Sequence, residues 1–504
     1  MENLVQFVSK NLERGAEPFQ GIADAALANV NFSAIMPSVV LTCFGLLLLM
    51  VSVFSPKGKT SHLAWLSLAA LAVTGVFSIA GWNSTEIGFG GSVVLDNFGT
   101  FFSLTCIIAA AMTILMSDAY LKREGYAIGE YYPLVLFVTA GAMWMASGTE
   151  LMTIFLGLEV LSIGLYALAG LFRNDTRSNE AGLKYFLLGA FSTGFLLYGI
   201  ALTYGVTGTT RLAGIAQFIA ENGALTGSPL LLAGMVLMSI GFLFKVGAAP
   251  FHMWTPDVYQ GAPTPITAFM SAGPKAAAFA AFIRVFMLGM EEMQVEWTSL
   301  FWVVAVLTMV VGNFLAIQQD NIKRMLAYSS IAHAGYALVG LVAANEIGMS
   351  GILFYMLAYT FMNIGAFAVL ILIGKKGEEN LTLDGVAGFG YKSPVLAVVF
   401  TIFLFALMGI PPTAGFAGKF YIFAGAVKAG YFWLAVLGVL NSAVSLYYYL
   451  RVMVSMYFRP STEDFAWVKG NACITFTLII ALAGVLYLGI LPGAVMEMAK
   501  LAAF

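Results

Sequence analysis

Apolar runs of about 20 residues follow one another along this chain, each closed by charged or Gly/Pro-rich turns. Runs of that length cross a hydrocarbon layer as helices, because backbone polar groups there find partners only inside a helix or a closed barrel. Fourteen such spans are expected, starting near Phe32, His62, Phe98, Tyr132, Leu151, Gly182, Pro229, Pro265, Ser299, Leu326, Met349, Pro394, Tyr431 and Ala472. The expected fold is an all-α polytopic membrane protein. Composition agrees: 60% of residues are hydrophobic and 10% charged, against about a quarter charged in soluble domains. The net charge of -2 offers no basic surface to nucleic acid. Cys43, Cys106 and Cys473 lie far apart in apolar runs, so no cysteine cluster is set up for a metal or an iron–sulfur centre. The first 31 residues lack the basic start, apolar block and cleavage site of a signal peptide. They are expected to stay attached as an interfacial segment.

An even number of spans puts both termini on one side. Lys and Arg gather in the odd-numbered loops, among them Lys57/Lys59, Lys122/Arg123, Arg173/Arg177, Lys323/Arg324, Lys375/Lys376 and Arg451/Arg459. The positive-inside bias makes those loops cytoplasmic and the termini opposite, in a bacterial inner membrane.

Two spans carry proline and glycine where a helix should continue, in the echoing stretches FLFKVGAAP from Phe242 and FLFALMGIPP from Phe403. Paired interruptions point to inverted repeats whose broken helices line an ion site at mid-membrane. Two inverted five-helix repeats are expected, over 131–290 and 291–458, preceded by N-terminal helices over 1–130 and followed by a C-terminal helix over 459–504. Proline kinks also occur in membrane helices that transport nothing.

Charge inside a membrane costs roughly 2.5–3.5 kcal/mol per group on insertion scales. Glu159, Lys245, Lys275 and Lys419 all fall inside spans, so they must pair or meet water. Burial favours the neutral amine of a lysine and a nearby carboxylate restores the ammonium, so a Glu159/Lys245 pair is a candidate proton switch. The competing reading is a static salt bridge that fixes helix register. One carboxylate does not neutralise three lysines. His333, between the two breaks in sequence, suits a relay between lysines or a helix-packing hydrogen bond. Lys184, Glu150 and Arg284 sit near span ends, where long side chains snorkel. His252 and Asp257 flank the first break, and His62 is expected at the interface. Lys245 precedes Pro250 by five residues and Lys419 follows Pro411 by eight, which suggests Lys245 for the entry side of a path and Lys419 for the far side.

At these residues the sequence resembles the antiporter-like subunits of respiratory complex I, the proton-pumping NADH-quinone oxidoreductase, and within them the N-type. PDVYQGAPTPITAFMSAGPK and QDNIKRMLAYSSIAHAGYALVG carry the resemblance most specifically, with FLGLEVLSIGLYALAG, EAGLKYFLLGAFSTGFLLYGIAL and GIPPTAGFAGKF in support. The resemblance implies a proton path in which Glu159, Lys245, Lys275 and Lys419 match the charged positions of the fifth, seventh, eighth and twelfth helices. A lysine at the last of these, where the M-type has a glutamate, and the absence of a long lateral helix after span fourteen favour the N-type. It also implies that NADH, FMN, iron–sulfur clusters and quinone belong to partner subunits, which agrees with the lack of a cofactor motif or metal ligands in this chain. The partners implied are the other membrane subunits and, through them, the redox arm. An Mrp-type cation/proton antiporter subunit shares much of the charge pattern, although sodium favours oxygen ligands over lysines. The same residues also suit a structural membrane subunit with no path of its own, or the related subunit of a photosynthetic complex.

Overall fold

The computed structural model describes residues 30–56, 58–223, 228–378, 380–461 and 471–504. Nearly all of the expected N-terminal interfacial segment, and Lys57, lie outside the described residues. The chain is a helical bundle: α1 (Met36–Phe54), α2 (Ser61–Ala80), α3 (Asn97–Glu124), α4 (Tyr131–Ser147), α5 (Leu151–Ala169) and α6 (Thr176–Thr207) come first. A short amphipathic helix, α7 (Leu212–Glu221), leads to α8 (Pro229–Val246), α9 (Trp254–Gly261), α10 (Thr264–Ser271) and α11 (Gly273–Ile283). Then come α12 (Gln294–Ile317), α13 (Ile322–Ala343), α14 (Glu346–Ile373), α15 (Phe389–Lys392), α16 (Pro394–Met408), α17 (Ala414–Lys428), α18 (Phe432–Phe458), α19 (Ala472–Ile490) and α20 (Gly493–Ala502).

Every expected span falls on a helix, and the largest offset is at Gly182, whose helix already starts at Thr176. Among the described residues twelve helices are long and apolar enough to cross a membrane; Tyr131–Ser147 and Pro394–Met408 are shorter. Polar side chains set several starts. Asp96, Asp175, Asn321 and Asn345 each accept a backbone N–H from the first turn of α3, α6, α13 and α14, the N-cap bond that satisfies an otherwise orphaned donor. One small β-hairpin, β1 (Glu86–Gly88) paired antiparallel with β2 (Val93–Leu95), joins α2 to α3; its three-residue strands carry no sequence signal of their own.

Both expected interruptions are present, and they are built alike. α8 ends on Gly247 and α16 on Gly409, with φ of +75° and +87°, a left-handed conformation that glycine enters without a Cβ penalty. The next amides close the same bonds: Ala248 N–H to Leu243 O at 2.8 Å, and Ile410 N–H to Phe405 O at 3.1 Å. These are Schellman caps, so the echo between the two stretches is an echo of local structure. Span eight adds an interruption at Ala272 (φ -108°, ψ -88°) between α10 and α11. Pro274 explains it, since its ring has no N–H and clashes with the carbonyl four residues back.

Burial is graded. The apolar stretch within Thr264–Gly289 is wholly enclosed and that of α13 is 94% buried, whereas only a third of the apolar stretch of α6 or α19 is covered. The outer helices expose Phe54, Trp65, Phe191, Trp433 and Phe458, the surface a membrane protein turns to lipid. The two faces of the bundle are told apart by their contacts. Asn31 bonds Glu86 at 2.6 Å and Asn97 bonds Leu501 O at 3.3 Å, so the first and last described segments share one face. On the other, Arg177 bonds Gly377 O and the ion pairs Lys323–Glu378, Arg451–Asp320 and Arg459–Asp384 gather; this is the cation-rich face.

Candidate functional site

The interruptions place three amines inside the bundle, and Lys245, Lys275, Lys419 and His333 are all buried. Lys245 belongs to the last turn of α8, where the helix dipole favours a cation. Its Nζ donates to Ser162 Oγ on α5 (2.8 Å) and Tyr185 OH on α6 (3.3 Å), and lies 5.4 Å from the Tyr185 ring centroid. Glu159 stands one turn before Ser162 on α5. No ion pair joins Glu159 to Lys245 among the described residues, and Glu159 Oε1 is sealed from solvent without a hydrogen-bond partner. The helices bring the two residues of the expected pair near each other, but the ammonium is taken by hydroxyls.

Lys275 sits in the first turn of α11, at the positive end of that half-helix, where the dipole opposes a cation. Its Nζ donates to the carbonyl and hydroxyl of Ser330 on α13, at 2.8 and 2.5 Å. Lys419 lies on α17, past the second break in sequence, yet its side chain reaches back. It donates to Leu407 O (3.2 Å), Met408 O (2.9 Å) and Ser442 Oγ on α18 (2.8 Å). The two carbonyls belong to the last residues of α16, which have no intrahelical partner. Lys245 and Lys419 flank their breaks from opposite sides in sequence; in space both meet the C-terminal end of the first half-helix.

α13 is the spine that joins these groups. One turn after Ser330, His333 meets Tyr355 OH through Nδ1 (2.5 Å) and Tyr449 OH through Nε2 (3.2 Å), and Tyr449 in turn bonds Ser329. Three residues further, the Tyr336 ring lies 4.5 Å from Lys419 Nζ. Lys275, His333 and Lys419 are thus connected through successive turns of one buried helix. Ser162, Tyr185, Ser330, Tyr336, Tyr355, Tyr449 and Ser442 complete the site. Sequence reasoning missed them, and the one available signal was the Ser-Ser-x-x-His-x-x-Tyr spacing on α13.

Other charges are spent on structure. Lys184 pairs with Asp257 and Glu180, both at 2.6 Å, and Arg324 pairs with Asp257 at 2.6 Å. Arg284 does not snorkel as expected. It is 1% exposed and bonds Asp96 (2.7 Å) and Ala146 O (2.7 Å), because the Asp96 carboxylate that caps α3 lies within its reach. Glu150 bonds Thr210 Oγ1 at 2.6 Å, and His62 bonds Ser55 at 2.8 Å on the exposed surface.

Known proteins resemble this chain in sequence and fold. The family model described as NADH:quinone oxidoreductase/Mrp antiporter, TM, matches residues 148–445, the stretch from before Glu159 to beyond Lys419. The NADH-quinone oxidoreductase subunit N of Trichlorobacter lovleyi is 58% identical over 94% of this chain and 96% of its own length. That of Rhodospirillum rubrum is 42% identical over 93% of this chain and 96% of its own. A chain of respiratory complex I from Thermus thermophilus superposes with a TM-score of 0.78 at 35% identity, covering 92% of this chain and 98% of that one. A chain of the Mrp complex from Dietzia sp. has a TM-score of 0.79 at 21% identity, over 93% and 97%, and shares the fold. With the family model spanning all the buried lysines of the site and relatives matching over more than nine-tenths of the chain, the chain belongs to the subunit N family of the NADH-quinone oxidoreductases.

Proposed function

We propose that this chain is a membrane-arm subunit of an NADH-quinone oxidoreductase and moves protons across the membrane through Lys245, Lys275, His333 and Lys419, with Glu159 as an electrostatic partner to Lys245. The observation that carries this is the company the amines keep. Lys245, Lys275 and Lys419 are sealed in the bundle, and among the described residues none of the three makes an ion pair; hydroxyls, carbonyls and ring faces are their neighbours. A hydroxyl or carbonyl can hold either an ammonium or a neutral amine, because a hydroxyl both donates and accepts. Such a site tolerates the gain and loss of a proton, where a closed salt bridge would resist it. NADH, FMN, iron–sulfur clusters and quinone are assigned to partner subunits, whose energy reaches this chain by conformational or electrostatic coupling. The loops of the cation-rich face are assigned to the cytoplasm of a bacterial cell, with both termini opposite, following the lysine and arginine bias. The two similarly capped interruptions support inverted repeats over 131–290 and 291–458, between N-terminal helices and a C-terminal helix.

The test is proton pumping per electron in the assembled complex carrying Lys275→Met. Methionine fills similar volume, so assembly is expected to hold while pumping falls. Wild-type pumping in assembled Lys275→Met complexes would sink the reading.

A further inference from the structure

A polar cavity of about 250 Å³ opens on the cation-rich face between the end of α3, the start of α6, the α9–α10 corner, the start of α13 and the loop after α14. Lys323 and Glu378 are among its walls and form a 2.7 Å ion pair with side chains only 2% and 13% exposed. Sequence position gave no hint of this, because Lys323 falls at the edge of an apolar run and resembles an ordinary loop charge. Its Nζ also donates to Ala262 O at 2.8 Å, at the C-terminal end of the half-helix α9. That is the environment Lys419 has at the end of α16. Glu378 accepts from Tyr120 OH at 2.6 Å and from Thr264 Oγ1.

We propose that Lys323 is the outermost proton-holding lysine of the column, with Glu378 as its removable counter-ion and the cavity as its water supply. This rests on the reading of the column as a proton path. Lys323 lies on α13, two turns before Ser330, the acceptor of Lys275. Tyr259, one turn before Ala262 on α9, and Tyr359 on α14 turn their hydroxyls toward Ser330 without closing a hydrogen bond. The turn that carries Glu378 is strained as well as anchored. Glu378 adopts φ +58° right after Gly377 at +80°, a conformation strained for a glutamate. Its neighbour is pinned by Glu124 Oε2 on Gly377 N–H and Arg177 on Gly377 O, both at 2.9 Å. Burial alone raises the Glu378 carboxyl, but the Lys323 charge and the Lys323, Thr264 and Tyr120 donors hold it below the usual 4.5. In the closed state it is therefore a carboxylate and a true counter-ion.

The step balances in protons. When the loop withdraws Glu378, the Lys323 ammonium passes one proton inward, toward the Tyr259/Ser330 hydroxyls, and becomes a neutral amine. A hydronium in the cavity then returns one proton to that amine, leaving water, and the pair closes again. One proton has moved inward and no bond other than N–H and O–H has changed.

A static tie between α13 and the loop is the opposing account, and Lys323→Arg separates the two. A guanidinium keeps the charge and the ion pair but does not give up its proton. In the assembled complex, pumping per electron is expected to fall about tenfold or more, as for the loss of a positioned proton-transfer group. Wild-type pumping in Lys323→Arg alongside lost pumping in Lys245→Met overturns this proposal and leaves the column intact; wild-type pumping in Lys245→Met overturns the column itself. Should arginine prevent assembly, Glu378→Gln replaces it. Glutamine keeps an acceptor for Tyr120 and Thr264 but no counter-charge, so pumping is expected to fall severalfold with hydrogen exchange of 374–378 faster than in the wild type. Unchanged pumping and exchange in that variant overturn the proposal equally.

Discussion

The two interrupted spans end their first halves with the same Schellman cap and put an amine at the same end of the half-helix, yet they hold it differently. At the first, Lys245 belongs to the half-helix it serves and touches side-chain oxygens, Ser162 and Tyr185. At the second, Lys419 comes from the following half-helix and, besides Ser442 Oγ, bonds the main-chain carbonyls of Leu407 and Met408. Hydroxyls can rotate to a new partner when an amine leaves. Carbonyls at a helix end are fixed in direction, and of these two only Met408 O has a second donor among the described residues, Ser442 Oγ at 3.1 Å. The first site is built to lose its amine hydrogen bonds cheaply, while the second is partly a cap.

The largest difference this predicts is in stability. Lys419→Met leaves the buried Leu407 carbonyl without a donor, at roughly 1–3 kcal/mol, while Met408 O keeps Ser442 Oγ at 3.1 Å. Lys245→Met strands only hydroxyls, and Ser162 Oγ already donates to Leu158 O at 2.6 Å. Both variants are expected to stop pumping, but thermal unfolding of the membrane arm should show Lys419→Met as the less stable. Lys419→Glu is expected to be worse still at neutral pH, since a carboxylate would face those carbonyls and the negative end of α16. Equal unfolding temperatures for Lys245→Met and Lys419→Met would erase the distinction between the two sites.

A second test concerns Glu159, which gives the first break a carboxylate neighbour that, among the described residues, the second lacks. Breaking a closed buried ion pair costs about 3–5 kcal/mol. With Lys245 on Ser162 instead, a double-mutant cycle of Glu159→Gln and Lys245→Met is expected to show a stability coupling of about 1 kcal/mol or less. In pumping the two should behave as one unit, the double variant being no worse than either single. A stability coupling of the full buried-pair size would mean that the pair is closed in the working state.

How much of this was legible in the sequence follows from what each feature costs to build. The spans were readable because lipid leaves no alternative to long apolar helices, and the two breaks because glycine and proline at the same spacing have few other uses there. The lysines stood out since buried charge is expensive. Their partners did not: Ser162, Ser330 and Ser442 are small residues of a kind common in membrane helices, where a serine that bonds its own carbonyl four residues back looks the same as one that holds an amine. Lys323 was hidden by its position at a run boundary, and its partner Glu378 by lying in a polar loop more than fifty residues away in sequence. The kink at Ala272 was masked because Pro274 sits beside Lys275, whose charge is the stronger signal. Lys419 was visible as a residue but misleading as a position, since a lysine side chain can reach back across a break that the backbone has already passed.

The smallest expected effect lies in the aromatic rings that cover the two amines. Tyr185 offers Lys245 its hydroxyl at 3.3 Å and its ring at 5.4 Å. Tyr336 offers Lys419 its ring at 4.5 Å, while its hydroxyl faces Asn313 Nδ2 at 3.4 Å. A ring over a desolvated cation contributes on the order of 0.5–2 kcal/mol, falling off with distance, and phenylalanine supplies it nearly as well as tyrosine. The hydroxyl of Tyr185 is therefore the part that matters at the first site and the ring of Tyr336 at the second. Tyr185→Phe is expected to slow pumping modestly, and Tyr185→Leu little further. Tyr336→Phe should pump close to wild type, whereas Tyr336→Leu should slow it, because Lys419 then loses its nearest ring face. The measurement is initial pumping rate in assembled complexes of the four variants. A ranking in which Tyr336→Phe is as impaired as Tyr336→Leu would place the Asn313 hydrogen bond, rather than the ring, in control of Lys419 and would make the second site as dependent on hydroxyls as the first.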